Sequence, residues 1–417
     1  MNLLSENLTA VDPLVSALGT INKSISFFAA FSLIGVFLAL SFFLIEREGK
    51  LEAHALQLRN LGRVCAGIWF LTSAFQIVIT LANILGTSLT EALNTTTLKS
   101  FVTQIELGKY LGFQTLVVGV VLISINFIRG TLSSTVLLLA SLVALVAPVF
   151  QSHSAASGSH SLAIGSLAIH VIALSLWVGG IFALILINEA DRRVALPRFS
   201  QLALWAAIAV VGSGIANAWA RMNFASAWST SYARIVIAKT VLTIVLLVLA
   251  YRNRKSLQAG DRTGWKLLSR IIVVEAFIMG VTLVLGSWLS ATQPPEGKEV
   301  PFSAALSIVG YPTPEAPNLV RLLTLYDPDA LIIGLLITLV ALYIKGVVIL
   351  KKRGDSWPVG RTVAFALAIS AMDFATSGGL GVYAKFSFEY HMIAHMLLGM
   401  IAPIGIRSEE RRVGKEC

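Results

Sequence analysis

The sequence predicts an all-α membrane protein, a polytopic bundle of about eleven transmembrane helices with its N-terminus outside. Composition is the first reason, because 56% of the 417 residues are hydrophobic and only 13% are charged. Soluble domains carry about 25% charged residues. The second reason is that the apolar runs are about 20 residues long, the length of a helix that crosses a hydrocarbon core. Lipid cannot satisfy exposed backbone groups, so these runs are expected to form packed helices.

Each apolar run is separated from the next by a polar connection or one that contains Gly or Pro. In chain order the predicted spans are 24–45, 62–83, 109–128, 132–150, 162–187, 200–220, 234–251, 270–290, 329–350, 361–377 and 388–406. The first residues, "MNLLSENLTAVDPLVSALG", lack a basic segment followed by an apolar core. We therefore expect no cleaved signal peptide.

Lysine and arginine set the predicted orientation. The connections after odd-numbered spans are basic, among them "NEADRRVALPRF", "YRNRKSLQAGDRTGWKLLSR" and "KKRGDSWPVGR", whereas those after even-numbered spans, such as "QSHSAASGSH", are poor in Lys and Arg. The basic connections are expected in the cytoplasm. The net charge of +10 is then mostly a signal for membrane orientation, and it also suits anionic lipid head groups. We expect no nucleic-acid partner, because no soluble basic domain is visible.

The charged tail "RSEERRVGKEC", residues 407–417, breaks abruptly from the apolar run before it. It looks like a translated sequencing adapter, so we expect it to be an artefact and leave it out of the fold prediction. The tail holds one of the two cysteines, which leaves Cys65 without an internal disulfide partner. The natural chain is expected to continue beyond Ile406.

Five of the six histidines are predicted in the outer half of the membrane or in an outer connection. His153 and His160 lie between spans four and five, and His170 lies about 12 Å down span five. His391 and His395 enter span eleven from the outer side. His153 and His160 could capture an ion or could be merely solvated. His170, alone on its helix face, could have either a functional role or a packing role.

The stretch "EYHMIAHMLLGM" is the most informative motif. His391 and His395 are four residues apart, so both rings share one helical face and can chelate one ion. Met392, Met396 and Met400 form a neighbouring stripe. Imidazole and thioether together favour Cu(I) over hard cations. Methionine also fills gaps in ordinary helix packing, so the stripe alone could be structural.

Three charged residues within spans are further candidates. Asp373 lies near the outer end of span ten, at a depth similar to the histidine pair, and could orient a ring through its N–H. Glu275 lies about 8 Å from the inner end of span eight and Lys239 about 8 Å from the outer end of span seven. These two are not expected to pair, and each could be structural, Lys239 by snorkelling outward.

Several stretches also resemble a known family. "HSLAIGSLAIHVIALSLWVGGIFAL", "SYARIVIAKTVLTIVLLVLAYRNRKSL" and "SRIIVVEAFIMGVTLVLGSWLSATQPP" are similar to the copper-resistance protein D (CopD) family. Its hallmark is a helical histidine followed by a Trp-x-Gly-Gly turn, here His170 and Trp177 to Gly180. The resemblance covers residues 20–292.

A second resemblance begins later in the chain. "DPDALIIGLLITLVALYIKGVVILKKRGDSWPVGR" and "FSFEYHMIAHMLLGMIAPI" resemble the start of the CtaG-type cytochrome c oxidase assembly domain, through Trp357, Pro358, Arg361 and the "HMIAHM" core. This resemblance covers residues 320–406, and the domain is expected to be cut off at its third helix. The predicted domains are 1–292, an outer linker at 293–328, and 329–406.

The two resemblances together imply copper transport or resistance at the bacterial plasma membrane, joined to copper provision for cytochrome c oxidase. The expected partners are copper, the lipid bilayer, and either oxidase subunits or a periplasmic copper carrier. The candidate copper ligands are His391, His395, Met392, Met396, His170, His153 and His160.

Two other classes of function remain open. A haem-binding electron carrier could use His170 and His395 as axial ligands. A scaffold for oxidase assembly could use small-residue faces such as "GSGIAN" and "SGGLG". The sequence shows no nucleotide-binding loop, catalytic triad or redox cysteine pair, so we do not expect an enzyme.

Overall fold

The computed structural model describes residues 13–44, 53–151, 160–222, 227–258, 265–292 and 304–406. Within these ranges the chain is helical, and its β pairing is a single bridge between Tyr326 and Gly378. The α-helices are α1 Pro13–Leu38, α2 Ala53–Leu85, α3 Leu89–Ala92, α4 Thr95–Gln104, α5 Glu106–Ser124, α6 Thr131–Val146, α7 His160–Leu186, α8 Glu189–Arg221, α9 Ser231–Gln258, α10 Trp265–Ala291, α11 Ala304–Val309, α12 Leu319–Thr324, α13 Ala330–Arg353, α14 Val359–Thr376, α15 Gly379–Ala384, α16 Phe388–Met396 and α17 Ala402–Ile406. A π-helical turn, Ala39–Phe43, extends α1, and another, Leu397–Ile401, joins α16 to α17.

Ten helices of the described ranges are long and apolar enough to cross a membrane, namely α1, α2, α5 to α10, α13 and α14. The predicted all-α polytopic membrane fold is therefore confirmed. The predicted eleventh span, 388–406, is helical along its whole length but is not among the ten. Glu389 and the two histidines lie in its first turns, which lowers its apolar character. The outside location of the N-terminus stays a prediction.

The first helix begins well before the predicted start at residue 24. Its early turns contain polar residues that interrupt the apolar pattern, and these residues find partners inside the protein. Asn22 donates from Nδ2 to Gln76 Oε1 at 2.9 Å and to the Thr72 carbonyl at 3.0 Å, both on α2. Ser24 donates to the carbonyl of Thr20, one turn back. Because their hydrogen bonds are satisfied, these polar groups do not end the helix.

The bounds of α13 follow from its end residues. Asp329 Oδ1 accepts hydrogen bonds from the Leu331 and Ile332 amides at 2.9 and 3.3 Å, which caps the N-terminus. At the other end Gly354 has a φ of 86°, the left-handed conformation that glycine adopts without strain and that stops many helices. The last turn is basic, as the negative end of the helix dipole favours.

The chain forms two compact units. The first contains α1 to α6, α9 and α10, with α7 from His170 onward and α8 as far as Gly214. The second contains the start of α7 as far as Ile169, the end of α8 from Ile215, and α11 to α17. The division thus runs through α7 and α8, and the predicted domain borders stay a prediction.

Close backbone contact between α1 and α7 organises the first unit. A Cβ atom on Gly35 would collide with the carbonyl oxygen of Gly179, and a Cβ on Gly179 would lie 2.9 Å from the Phe31 carbonyl. Glycine is therefore required for the two helices to meet at this distance. The surrounding core buries Ile34, Phe37 and other apolar side chains of α1 completely.

In the second unit the chain before α13 folds against the connection between α14 and α16. We call the two segments, 310–327 and 377–387, the loop cap. The Asp327 amide donates to the Ser377 carbonyl at 2.8 Å, and Lys385 Nζ lies 2.6 Å from Asp327 Oδ2. A Cβ on Gly379 would collide with the main chain of Leu322. The described part of the stretch expected to be a linker therefore holds two short helices and is tied to the rest of its unit.

Candidate metal-binding site

The histidine pair lies on α16, at the start of the segment that follows the loop cap. The first turn of this helix closes with a hydrogen bond from the His391 amide to the Ser387 carbonyl at 3.0 Å. The ring centroids of His391 and His395 are 4.7 Å apart, with the ring planes at 73° to each other. Both rings are exposed. Two imidazoles this close on one face can reach a single ion.

The thioethers extend the same exposed surface. Met392, Met396 and Met400 are 45%, 55% and 57% exposed, so none of them fills a gap in the core of this chain. The buried side of α16 is instead Ala394, which packs in a small cluster with Ala375 and Leu380. Helix α16 therefore turns an alanine toward the protein and its histidines and methionines away from it.

The backbone changes just beyond the second histidine. Residues Leu397–Ile401 form a π-helical turn between α16 and α17. Such turns are rare and are frequently found at functional sites. The helical period therefore changes directly after His395 and Met396.

Asp373, near the end of α14, has a tyrosine as its hydrogen-bond partner. The Tyr326 hydroxyl donates to Asp373 Oδ1 at 3.0 Å. Burial raises the pKa of Tyr326, and the hydrogen bond to Asp373 raises it further. The partner of this carboxylate thus comes from the loop cap, and the predicted contact between Asp373 and a histidine ring stays a prediction.

A partly buried ion pair that the sequence does not predict holds the loop cap together. Asp327 is 5% exposed and pairs with Lys385. Nearby, burial and then the negative charge of Asp327 raise the pKa of Tyr311. Tyr383 is also buried, donates to the Glu315 carbonyl at 2.8 Å, and packs at 5.5 Å between ring centroids against Tyr390. Tyr390 directly precedes His391, so the loop cap fixes the start of the helix that carries the histidine pair.

His170 is half-buried in the first unit and is satisfied on one side of its ring. Its Nδ1 lies 3.1 Å from both the Val210 carbonyl and Ser213 Oγ on α8. A carbonyl can only accept, so Nδ1 carries the proton and Nε2 is the basic nitrogen of the ring. His153 lies outside the described residues, and His160 begins α7 with a side chain that is not described. The predicted relay through these three histidines stays a prediction.

Lys239 and Glu275 occupy different levels of the first unit. The Lys239 ammonium lies beside Gly286 of α10, 3.4 Å from where a Cβ would be. Glu275 lies on the same helix, about 16 Å away along its axis, and is 7% exposed. This separation agrees with the opposite depths predicted for the two charges.

In the described part of the chain no three His, Cys, Asp or Glu side chains are grouped so that they could hold a metal ion. The methionines beside the histidine pair supply thioethers as further donor groups. Two nitrogens and a sulfur suit Cu(I), which accepts soft ligands and low coordination numbers. The residues present thus fit a copper ion as cargo.

Side chains of the motif "SWPVGR", in the second unit, make hydrogen-bond and ring contacts. Trp357 Nε1 donates to the Tyr343 hydroxyl at 2.8 Å, and the Arg361 guanidinium lies 5.0 Å from the centre of the indole. Tyr343 in turn stacks on Phe365 at 4.0 Å. These contacts join α13 to α14.

Three family models match successive parts of the chain. They are the copper resistance protein D-like N-terminal domain at residues 17–162, copper resistance protein D at 193–289, and the cytochrome c oxidase caa3 assembly factor (Caa3_CtaG) at 341–407. The predicted joining of the two families is confirmed. The histidine pair lies within the third match, whereas His170 falls between the first two.

Relatives cover different shares of the chain. The uncharacterized protein Mb0105 of Mycobacterium bovis is 24% identical over 363 residues, 86% of this chain and 53% of that protein. The copper transport protein CutJ of Bacillus subtilis is 29% identical over 168 residues, 38% of this chain and 30% of CutJ. The inner membrane protein YebZ of Escherichia coli is 30% identical over 139 residues, 30% of this chain and 47% of YebZ. The chain spans about half the length of its mycobacterial relative, and no solved structure matches it.

Proposed function

We propose that this protein binds copper at the outer side of the bacterial plasma membrane, moves it, and hands it on for cytochrome c oxidase assembly. The order of the family matches supports this function, since copper resistance segments precede an oxidase assembly segment. A relative whose name is copper transport protein gives further support. In this proposal the chain is a carrier and donor of copper and catalyses no reaction.

The observation that carries the proposal is the exposed pair of rings on α16. His391 and His395 would each give one ring nitrogen to the ion, and a thioether from Met392 or Met396 would complete a soft ligand set. Exposure allows a second protein to reach the ion. A thioether is a weak ligand, so exchange with an incoming ligand would begin there. The recipient would be an oxidase subunit or a periplasmic copper carrier.

The predicted histidine relay would take part in capture. His153 and His160 would collect the ion, and His170 would receive it through Nε2, because Nδ1 is held by Val210 and Ser213. The hydrogen bonds to α8 would fix the ring and its tautomer, as partners of metal-binding histidines commonly do.

The test is copper stoichiometry of the purified protein. The double change His391→Ala with His395→Ala should lower bound Cu(I) by about one ion, since it removes both nitrogen ligands. Met400→Leu is the matched control, because it alters the same exposed surface one turn further on and should change the stoichiometry little. Equal copper binding by the double variant and the parent protein would contradict the proposal.

The same preparation separates the two rival functions. A haem carrier would show a visible absorption band that His170→Ala or His395→Ala removes. A scaffold would bind neither copper nor haem. For the scaffold, one of the predicted small-residue faces is used within the chain itself, because Gly379 and Gly381 of "SGGLG" approach the main chains of Leu322 and Thr376.

A further inference from the structure

Two lysines of the first unit converge on one turn of α10. Lys23 comes from α1 and Lys239 from α9, and α10 packs against both helices. Lys23 Nζ donates to Ser290 Oγ at 3.1 Å. The Lys239 ammonium lies beside Gly286. Gly286 and Ser290 are four residues apart, so both ammonium groups approach the same face of α10.

The level of this turn in the membrane indicates what could bind there. Ser290 is the last residue of the apolar span Val273–Ser290. The two ammonium groups therefore lie within about one helical turn, roughly 6 Å, of the point where the apolar span ends. This is the level at which lipid phosphates meet the hydrocarbon core.

Ser290 orients Lys23 without using all of its donors. The Ser290 hydroxyl donates to the Ser287 carbonyl at 2.7 Å, so its oxygen is the acceptor for Lys23. An ammonium group has three N–H donors, and this bond occupies one of them. Two ammonium groups on one face of α10, at the edge of the apolar span, attract an anionic group from the headgroup region.

We propose that Lys23 and Lys239 form a phosphate-binding site at this boundary, with the headgroup phosphate of an anionic phospholipid as its ligand. Ser290 acts as the positioning residue for Lys23. The inference goes beyond copper binding and does not depend on it, because none of its residues is a proposed copper ligand.

The experiment is a lipid titration of the full chain in neutral detergent, followed by native mass spectrometry. The probes are phosphatidylglycerol, phosphatidylcholine and inorganic phosphate. We expect Lys23→Gln and Lys239→Gln each to lower the affinity for phosphatidylglycerol about fivefold. Lys345→Gln, which removes an exposed ammonium from the spanning helix α13, is the matched control and should leave the affinity unchanged.

Each outcome bears on the proposal. Competition by inorganic phosphate would support it and identify the oxyanion as the recognised group, whereas tight phosphatidylglycerol binding without competition would support a lipid-specific site. Equal affinity for phosphatidylglycerol and phosphatidylcholine, or unchanged affinity in both lysine variants, would overturn it. Either lysine variant suffices for the test if the other fails to fold, and Lys23→Arg, which keeps the charge, should retain binding.

Discussion

At the scale of single residues, the candidate site divides into a part that is local in sequence and a part that is not. The spacing of His391 and His395 alone predicts that their rings share a face, and the rings do lie 4.7 Å apart. The tyrosine that meets Asp373 is distant in sequence, and no local pattern marks it. The same holds for Asp327 and Lys385, whose pairing depends on how the loop cap folds.

The Asp327–Lys385 pair leads to a prediction about stability. Asp327→Asn should lower the free energy of unfolding by about 1.5–3 kcal/mol, because it weakens a hydrogen bond between charged groups and leaves the Lys385 ammonium without its counter-charge. The measurement is chemical or thermal unfolding in detergent. Glu106→Gln is the control, since the Glu106–Lys109 pair has the same type of contact at 2.7 Å but is exposed on both sides. That change should cost less than about 1 kcal/mol, and equal losses in the two variants would contradict the prediction.

At the scale of elements, apolar length predicts the spanning helices well because burial in lipid depends on composition more than on particular partners. The predicted start of α1 is too late, because polar residues whose hydrogen bonds are satisfied within the protein interrupt the apolar pattern there. The linker predicted before α13, in a stretch rich in proline and glycine, stays a prediction. That stretch contains α12 and packs closely at Gly379, a contact between segments that are far apart in sequence.

The contact between α1 and α7 gives the second prediction. Gly35→Ala should destabilise the protein by about 1–3 kcal/mol, because the added methyl group would overlap the Gly179 carbonyl and force the helices apart. Gly67→Ala is the matched control: Gly67 also lies within a spanning helix, but a Cβ there meets no atom within 4 Å. We expect Gly67→Ala to be neutral or slightly stabilising. The readout is the unfolding temperature, and similar values for the two variants would refute the packing argument.

At the scale of the whole molecule, the sequence predicts the order of the two family segments, and the family matches confirm that order. The compact units could not be predicted in the same way. Hydropathy assigns each residue to a span but says nothing about which spans pack together, and the division between the units runs through α7 and α8. Contacts such as the hydrogen bond from Asn217 to the Ala163 carbonyl at 3.0 Å create this grouping.

The third prediction concerns the orientation of the chain in the membrane. Asn188→Cys, in the basic connection that holds Arg192 and Arg193, should be protected from a membrane-impermeant thiol reagent in intact cells. Ser157→Cys, in the connection between His153 and His160, should be labelled, because the distribution of Lys and Arg places it outside. Both changes are made in a chain with Cys65→Ser and Cys417→Ser. Labelling after permeabilisation is the control for reactivity, and equal labelling in intact cells would contradict the topology.

The glycine contact between α1 and α7 also limits how the first unit can move. Where two helices touch through their main chains, no side chain can bend or change rotamer to let one slide along the other. A rearrangement that opened this unit alternately to each side of the membrane would have to carry α1 and α7 as one rigid body. The helix that moves relative to them would then be one with a larger exposed face. Helix α9 is an example, because its Ile237, Val241 and Ile244 are each about half exposed.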